Sequence, residues 1–282
     1  MRKIVVLLGI VLILLVGYTS FRWLDTGEIK MEKKKQIFKS SPSPVETGLT
    51  LVTVYDNNQY DPKLKTGWGF SCLVKFEDEN VLFDTGADSP TLLSNMEKLG
   101  IDPQEIEIVV LSHIHGDHVN GLWGLLERNG EVKVYIPDSF PDSFREKIKS
   151  YGASYQNVKG PTQIREGVYS TGELGIFIKE QALVVKTEKG LVVLTGCAHP
   201  GVVNMVRKAK EFVGDEVCLV MGGFHLGGTP DSEIEEIIKD FQQLGIDKVA
   251  PCHCSGDRAR QLFQTRFGEN YIENGVGKVI NL

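Results

Sequence analysis

Leu111-Ser112-His113-Ile114-His115-Gly116-Asp117-His118 places three imidazoles and a carboxylate within six residues, at the end of the apolar run Ile106 to Leu111. The run reads as a buried strand. Only six histidines occur in the whole chain, and half of them fall here, so chance clustering is a poor explanation. His113 and His115 are two apart; if strand geometry persists through them, they project from one face and can hold one ion together. Asp117 and His118, beyond the turn at Gly116, can serve a second position nearby. Imidazole and carboxylate suit zinc, and iron or manganese as well, so the ligand types alone do not choose the metal.

Outward from this stretch, strands alternate with helices. Leu51 to Tyr55, Phe70 to Phe76 and Val81 to Phe83 are short runs rich in Val, Leu, Phe and Tyr that predict successive strands. The third ends in Asp84-Thr85-Gly86-Ala87-Asp88, with a helix expected over Thr91 to Lys98. Asp88 reads as a helix cap, whereas Asp84, directly at a strand end, has the better claim on a site. After the histidine run come a helix to Arg128, a strand Val132 to Ile136 and a helix Asp142 to Tyr151. Leu183 to Lys186 and Leu191 to Leu194 flank a hairpin signal, and the second runs into Thr195-Gly196-Cys197-Ala198-His199-Pro200-Gly201. A helix Val202 to Phe212 and a strand Val217 to Met221 lead to Gly222-Gly223-Phe224-His225. A helix Ser232 to Leu244 and a strand Lys248 to Ala250 lead to Pro251-Cys252-His253-Cys254-Ser255-Gly256. Each of the last three histidines thus follows a strand end, where layered α/β folds hold their site loops on a rigid frame.

At 282 residues, 41% hydrophobic and 24% charged, the chain can bury a large core. Residues 1–49 hold eight Lys/Arg and four Asp/Glu, a net of +4, so the rest carries −10 of the total −6. That balance does not favour nucleic acid as a partner. Five cysteines without framework spacing read as buried thiols or site residues rather than bridges. Ile4 to Phe21 contains no charge after Arg2 and Lys3, so residues 1–24 are expected to form a transmembrane anchor or, alternatively, a cleaved signal segment. The expected location is a single-pass membrane protein of open orientation, with secretion as the alternative. Residues 25–49, polar and rich in Ser and Pro towards their end (Ser-Ser-Pro-Ser-Pro), read as a linker, and 50–282 as the catalytic domain.

The pattern His113-x-His115-x-Asp117-His118 after a strand, with Asp84 at another strand end, resembles the metallo-β-lactamase superfamily. Thr195-Gly196-Cys197-x-His199-Pro200-Gly201, Gly222-Gly223-Phe224-His225-Leu226 and His253-Cys254-Ser255-Gly256 are similar to the branch named for the dihydropterin ribofuranosyl-aminobenzene phosphate synthase of methanopterin biosynthesis. The resemblance runs from about Thr50 to the C-terminus. It implies an α/β (α+β) fold, an αββα sandwich, and two divalent metal ions, zinc first with manganese or iron as alternatives. It also implies His113, His115 and His199 around one ion, and Asp117, His118 and His253 around the other, with Asp84 orienting them by hydrogen bonding.

The chain departs from the wider superfamily in one place. Many members carry a bridging aspartate at the end of the strand after the third histidine, and here that strand ends in Gly222-Gly223-Phe224-His225. Either His225 takes over part of that role, or water alone bridges the ions, or the second site is weak. Cys197 can contact a metal or be a small buried thiol, and Cys252 and Cys254 read as packing. His225 can meet substrate, act as an acid or base, or be a core histidine. Trp68 is a candidate to stack on a planar substrate ring, and Ser255 with Arg258, at a helix start, to hold a phosphate. The expected partner is a small molecule, with phosphate as an option. Three functions follow: a hydrolase of a phosphate or ester compound using metal-activated water, a transferase releasing diphosphate from a pterin, or a silent membrane-tethered metal-binding sensor.

Overall fold

Thirteen strands fall into two mixed sheets in the computed structural model, which describes residue 44, residues 48–77 and residues 79–282. The expected segment 1–24 lies outside the described residues, as does the linker apart from residues 44, 48 and 49. Among the described residues no helix is long and apolar enough to cross a membrane.

The first sheet contains β1 (Thr50–Asp56), β2 (Phe70–Lys75), β3 (Asn80–Phe83), β4 (Ile108–Val110), β5 (Lys133–Pro137), β6 (Ser154–Val158) and β13 (Val279–Asn281), in the order β13-β1-β2-β3-β4-β5-β6. β13, β1, β2 and β3 pair antiparallel, and β3 to β6 pair parallel. The second sheet contains β7 (Thr162–Arg165), β8 (Val168–Ser170), β9 (Leu183–Thr187), β10 (Gly190–Thr195), β11 (Val217–Gly223) and β12 (Lys248–Cys252), in the order β12-β11-β10-β9-β8-β7. β7 to β10 are antiparallel and β10 to β12 parallel.

Alternation along the strands sorts the side chains into layers. Leu51, Cys72, Val74, Phe83 and Val110 of the first sheet pack with Leu183, Val192, Leu194 and Met221 of the second to form the inter-sheet core. Their neighbours Val54, Leu73, Leu82, Val109 and Val134 turn outward against Leu92 and Met96 of α1 (Ser89–Leu99), Leu125 of α3 (Leu122–Arg128), and Phe144 and Ile148 of α4 (Asp142–Ser150). Val184, Leu191, Val193 and Val220 likewise meet α5 (Val202–Val213), α6 (Asp231–Gln243) and α7 (Asp257–Phe267). Helices on both outer faces make the arrangement α-β-β-α. Strands covered on both sides carry nearly continuous apolar sequence, and all six residues of β10 are buried.

Local signals place the helices. Asp88 caps α1 by accepting the Thr91 N–H at 2.7 Å, Pro90 sits in the first turn, and Gly100 closes the helix at φ 70°. The Asp88 carboxylate also accepts the Tyr55 hydroxyl at 2.7 Å, tying the helix start to β1. One expectation is corrected, and three strands had none. The strand preceding the histidine run is confined to Ile108–Val110, so strand geometry does not carry through His113 and His115; Leu111 to His115 is loop, and α2 (Gly116–Val119) starts inside the motif. The strands β6 and β7 and the terminal β13 carried no usable signal, because they are short, polar and partly exposed at or near sheet edges.

Candidate metal centre

The site forms where parallel strands end. Asp84 follows β3, the histidine run follows β4, Cys197 and His199 follow β10, His225 follows β11 and His253 follows β12. Asp84, Ala198, His225 and His253 have φ between 49° and 62°, and they are all of the described non-glycine residues with left-handed backbone. Such residues persist only where the surroundings over-determine them, and these four all lie in the loops that meet at the site.

Two groups of donor atoms converge there. His113, His115 and His199 form one, and Asp117, His118, Cys197 and His253 the other, the donor atoms in each lying within 4.8 Å of one another. The groups are adjacent: the His113 and His118 rings are 4.2 Å apart between centroids. Loop geometry brings the His113 and His115 rings to 4.7 Å, and each lies 4.9 Å from the His199 ring.

Hydrogen bonds behind the rings aim them. Asp84, fully buried, accepts the Ser112 N–H, the Ser112 hydroxyl and His118 Nδ1, each at 2.7 Å. His113 Nδ1 pairs with the Ser112 hydroxyl at 2.9 Å, and His253 Nδ1 with Asn57 Oδ1 at 2.9 Å. With Nδ1 engaged, each of these rings turns Nε2 towards the centre, the arrangement typical of metal-bound histidine. The Nε2 atoms of His113 and His199 are buried and have no hydrogen-bond partner. Orphaned buried nitrogens facing one another are costly unless a cation takes their lone pairs, so the residues present fit a metal ion.

Electrostatics agree. Burial and the neighbouring histidines hold His113 far below the ordinary imidazole range, and burial with His225 and His115 brings His199 down to about 4. Both rings are therefore neutral at physiological pH, the form that binds metal. Burial would lift the Asp117 carboxyl, but the His253 hydrogen bond and the charges of His118 and His253 pull it down to about 2. Burial would lower His118 too, yet the charge and hydrogen bond of Asp84 leave it raised. Contact with Cys254 and burial hold the Cys197 thiol high; a coordinated cation reverses that, because a coordinating thiol is deprotonated outright.

Other expected residues lie at the rim of the centre or away from it. His225 is exposed at the rim, its ring 4.3 Å from that of His199. Trp68 is 60% exposed, with its ring 5.0 Å from that of His253. Ser255 is corrected as a phosphate ligand: it is fully buried, donates to the Cys252 carbonyl at 2.7 Å and accepts the Phe224 N–H at 3.1 Å, leaving no face for substrate. Arg258 is a surface group whose guanidinium pairs with Asp231. Cys252 is indeed packed between the sheets, but Cys254 is more than packing, since it converges with Cys197 and His225.

Sequence reasoning missed three polar supports. Glu180, fully buried, accepts the backbone N–H groups of Cys197, Ala198 and His199 at 2.8–2.9 Å and so shapes the loop that carries His199. Burial pushes its carboxyl up to about 7. Asp56, at the end of β1, accepts the His253 N–H at 3.1 Å, and Asn57 accepts from its ring. The Tyr55-Asp56-Asn57 strand end offered the same signal as Asp84, a carboxylate closing an apolar strand. Glu180 offered none, because its partners are backbone groups distant in sequence.

Comparison with known proteins gives a consistent picture. The model of the metallo-beta-lactamase superfamily matches residues 69–210. The 7,8-dihydropterin-6-methyl-4-(beta-D-ribofuranosyl)-aminobenzene-5'-phosphate synthase of Methanocaldococcus jannaschii is 30% identical over 75% of this chain and 89% of its own length. The ribonuclease Z of Nanoarchaeum equitans is 29% identical over only 34% of this chain and 30% of its own. The crystal structure of Tm1679, a metal-dependent hydrolase of the beta-lactamase superfamily, superposes with a TM-score of 0.72 at 29% identity, covering 83% of this chain and 99% of that one.

Proposed function

Because the chain belongs to the metallo-beta-lactamase superfamily, we propose that it is a two-metal hydrolase acting on a small molecule that carries a phosphate or ester group. The observation that carries this reading is the pair of converging donor groups, one containing buried imidazole nitrogens with no other partner. Divalent cations held there would supply Lewis acidity, lowering the pKa of water from about 15.7 towards about 7 and drawing charge from the oxygen of the bond to be broken.

The chain's own residues do the rest. His113, His115 and His199 would hold one ion, and Asp117, His118 and His253 the other, while Asp84 fixes the His118 tautomer so that Nε2 keeps its lone pair. His225 stands beside His199, and its contact with Cys254 raises its pKa, which suits a group that carries a proton to a departing oxygen. A groove of about 360 Å³ opens beside these two rings and is lined by Asn204, Arg207, Phe224 and Thr229 among others, a size for a small molecule. Trp68, Ile114, Ile176 and Phe177 are exposed apolar side chains, and Phe177 is 98% exposed. The loop bearing Ile176 and Phe177 runs past Pro200, beside His199. These apolar surfaces favour a substrate with a planar or apolar part over a nucleic acid.

A second reading has a specific observation behind it: the relative that is 30% identical over 89% of its length is a pterin-pathway synthase. In that case the same donor groups would neutralise a leaving diphosphate while an aromatic partner displaces it. The discriminating experiment loads the full chain with zinc or manganese and offers phosphomonoesters, phosphodiesters, lactones and thioesters beside a dihydropterin diphosphate with an aminobenzene ribofuranosyl phosphate. Chelator-sensitive hydrolysis of a panel member supports the proposal. Condensation without hydrolysis by the metal-loaded chain replaces it with the second reading.

A further inference from the structure

Cys197 stands where a fourth ligand belongs. Its Sγ lies 3.2 Å from His118 Nε2 and 3.4 Å from His253 Nε2. Asp117 Oδ2 lies 3.6 and 3.4 Å from the same two nitrogens. These are four of the six edges of a tetrahedron. Zinc bonds of about 2.0–2.2 Å to nitrogen and oxygen and about 2.3 Å to sulfur make tetrahedral edges of roughly 3.3–3.6 Å between nitrogen and oxygen and roughly 3.5–3.7 Å to sulfur, so the two Asp117 edges match and the two Cys197 edges fall slightly short. The group is close to the dimensions of such a site and needs only a small outward shift of Cys197 Sγ to reach them.

The proton count points the same way. His118 Nδ1 is bonded to the Asp84 carboxylate, which can only accept, so Nδ1 carries a proton and Nε2 is the ring atom left to bind a cation. Asn57 donates its Nδ2 to the His253 carbonyl at 3.2 Å, which turns its Oδ1 to His253 Nδ1 and assigns that ring the same tautomer. Two Nε2 atoms and the Asp117 carboxylate therefore face Cys197 across one small space. One cation satisfies all four groups at once. A carboxylate and a thiolate also match its double charge, so the four ligands and their ion together are neutral. Cys254 is not placed to do this: its thiol is 3.6 Å from the Cys197 carbonyl, and it groups with Cys197 and His225 instead of with Asp117 and His118. Gly223 keeps the space clear, because a Cβ there would come within 2.3 Å of the Gly196 carbonyl oxygen, 2.7 Å of Cys254 Sγ and 3.2 Å of the Cys197 Cα.

We infer that Cys197 is the fourth protein ligand of the second group, closing it into an Asp117–His118–Cys197–His253 site, and that His113, His115 and His199 form the site with a position left open. The inference rests on the two-metal reading above and sharpens it by making the two sites unequal. A site with four protein ligands retains its ion, while one with three takes water, substrate or small anions. Softness follows as well: the thiolate biases the second site towards zinc, cobalt or cadmium and against manganese, and three imidazoles carry no such bias.

Cobalt loading of the full chain tests this. Two cobalt ions should bind, with a near-ultraviolet thiolate-to-cobalt charge-transfer band. Cys197→Ser should abolish the band and cost one of the two ions, whereas Cys254→Ser should keep both. Azide should perturb the visible bands of the three-histidine ion and leave the charge-transfer band in place. Two bound cobalt ions without the band, or a band that survives Cys197→Ser, overturn the ligand assignment while leaving the metal centre standing. No bound cobalt overturns both. Should Cys197→Ser fail to fold, the Cys254→Ser and azide arms still decide: loss of the band in the first, or its shift by azide in the second, contradicts a closed Cys197 site.

Discussion

Asp84→Asn changes one atom of a buried carboxylate and should cost the centre most of its grip on the second ion. Asp84 Oδ1 accepts the Ser112 N–H, and Oδ2 accepts both the Ser112 hydroxyl and His118 Nδ1. An asparagine that keeps its oxygen on the Ser112 N–H turns its amide nitrogen to His118. The ring must then accept at Nδ1 and carry its proton on Nε2, the atom needed as a ligand. The opposite orientation sets the amide N–H against the Ser112 N–H with no water to relieve it, at about 1–3 kcal/mol. Either way the loss should be about 10–100-fold in affinity at that site, or roughly 1.4–2.7 kcal/mol. Competition of the full chain against a chromophoric chelator reads the affinity, and the imidazole nitrogen chemical shifts read the tautomer. Affinity within about twofold of the wild type, with the His118 proton still on Nδ1, would refute the reasoning.

Three further outcomes are expected. His113→Ala should lose an ion on purification, because its Nε2 has no other role, while His225→Ala keeps both ions and slows turnover; metal analysis with kinetics checks this, and the opposite pattern exchanges the two roles. Glu180, pushed up to about 7 from 4.5, makes a pH-dependent contribution in the chelated chain: the stability from its protonated form is complete below about pH 4.5 and is lost as pH rises to about 7. That loss is about 3 kcal/mol by denaturant titration, and Glu180→Gln should remove it, so parallel pH profiles for the two proteins would count against the assignment. Gly223→Ala should lower stability by about 1–3 kcal/mol through overpacking and weaken the second site with it, as read by thermal melting with and without zinc; an unchanged melting temperature would show that the Cys197 and Cys254 loops yield more readily than their distances suggest.

Much of the layered fold was legible because apolar strands ending in polar, glycine-rich loops recur at the right spacing. Val217–Gly223 with its two terminal glycines is an example. The edge strand Ser154–Val158 was not, since a polar sequence with only Val158 buried leaves no run to detect. In the site, the six histidines and Asp84 announced themselves by chemistry and position. Ser255 misled because a hydroxyl before a helix looks the same whether it faces a ligand or the Phe224 N–H. Cys197 was ambiguous for a related reason. Its proximity to His118 and His253 depends on three loops from two sheets, and no spacing along one chain encodes that.

Metal content of the purified full chain, measured by elemental mass spectrometry after expression with zinc supplied, tests the central claim most directly. About two ions per chain are expected from two donor groups of this composition. Fewer than about 0.2 per chain would contradict the metal centre, because donor sets of this kind hold at least one ion.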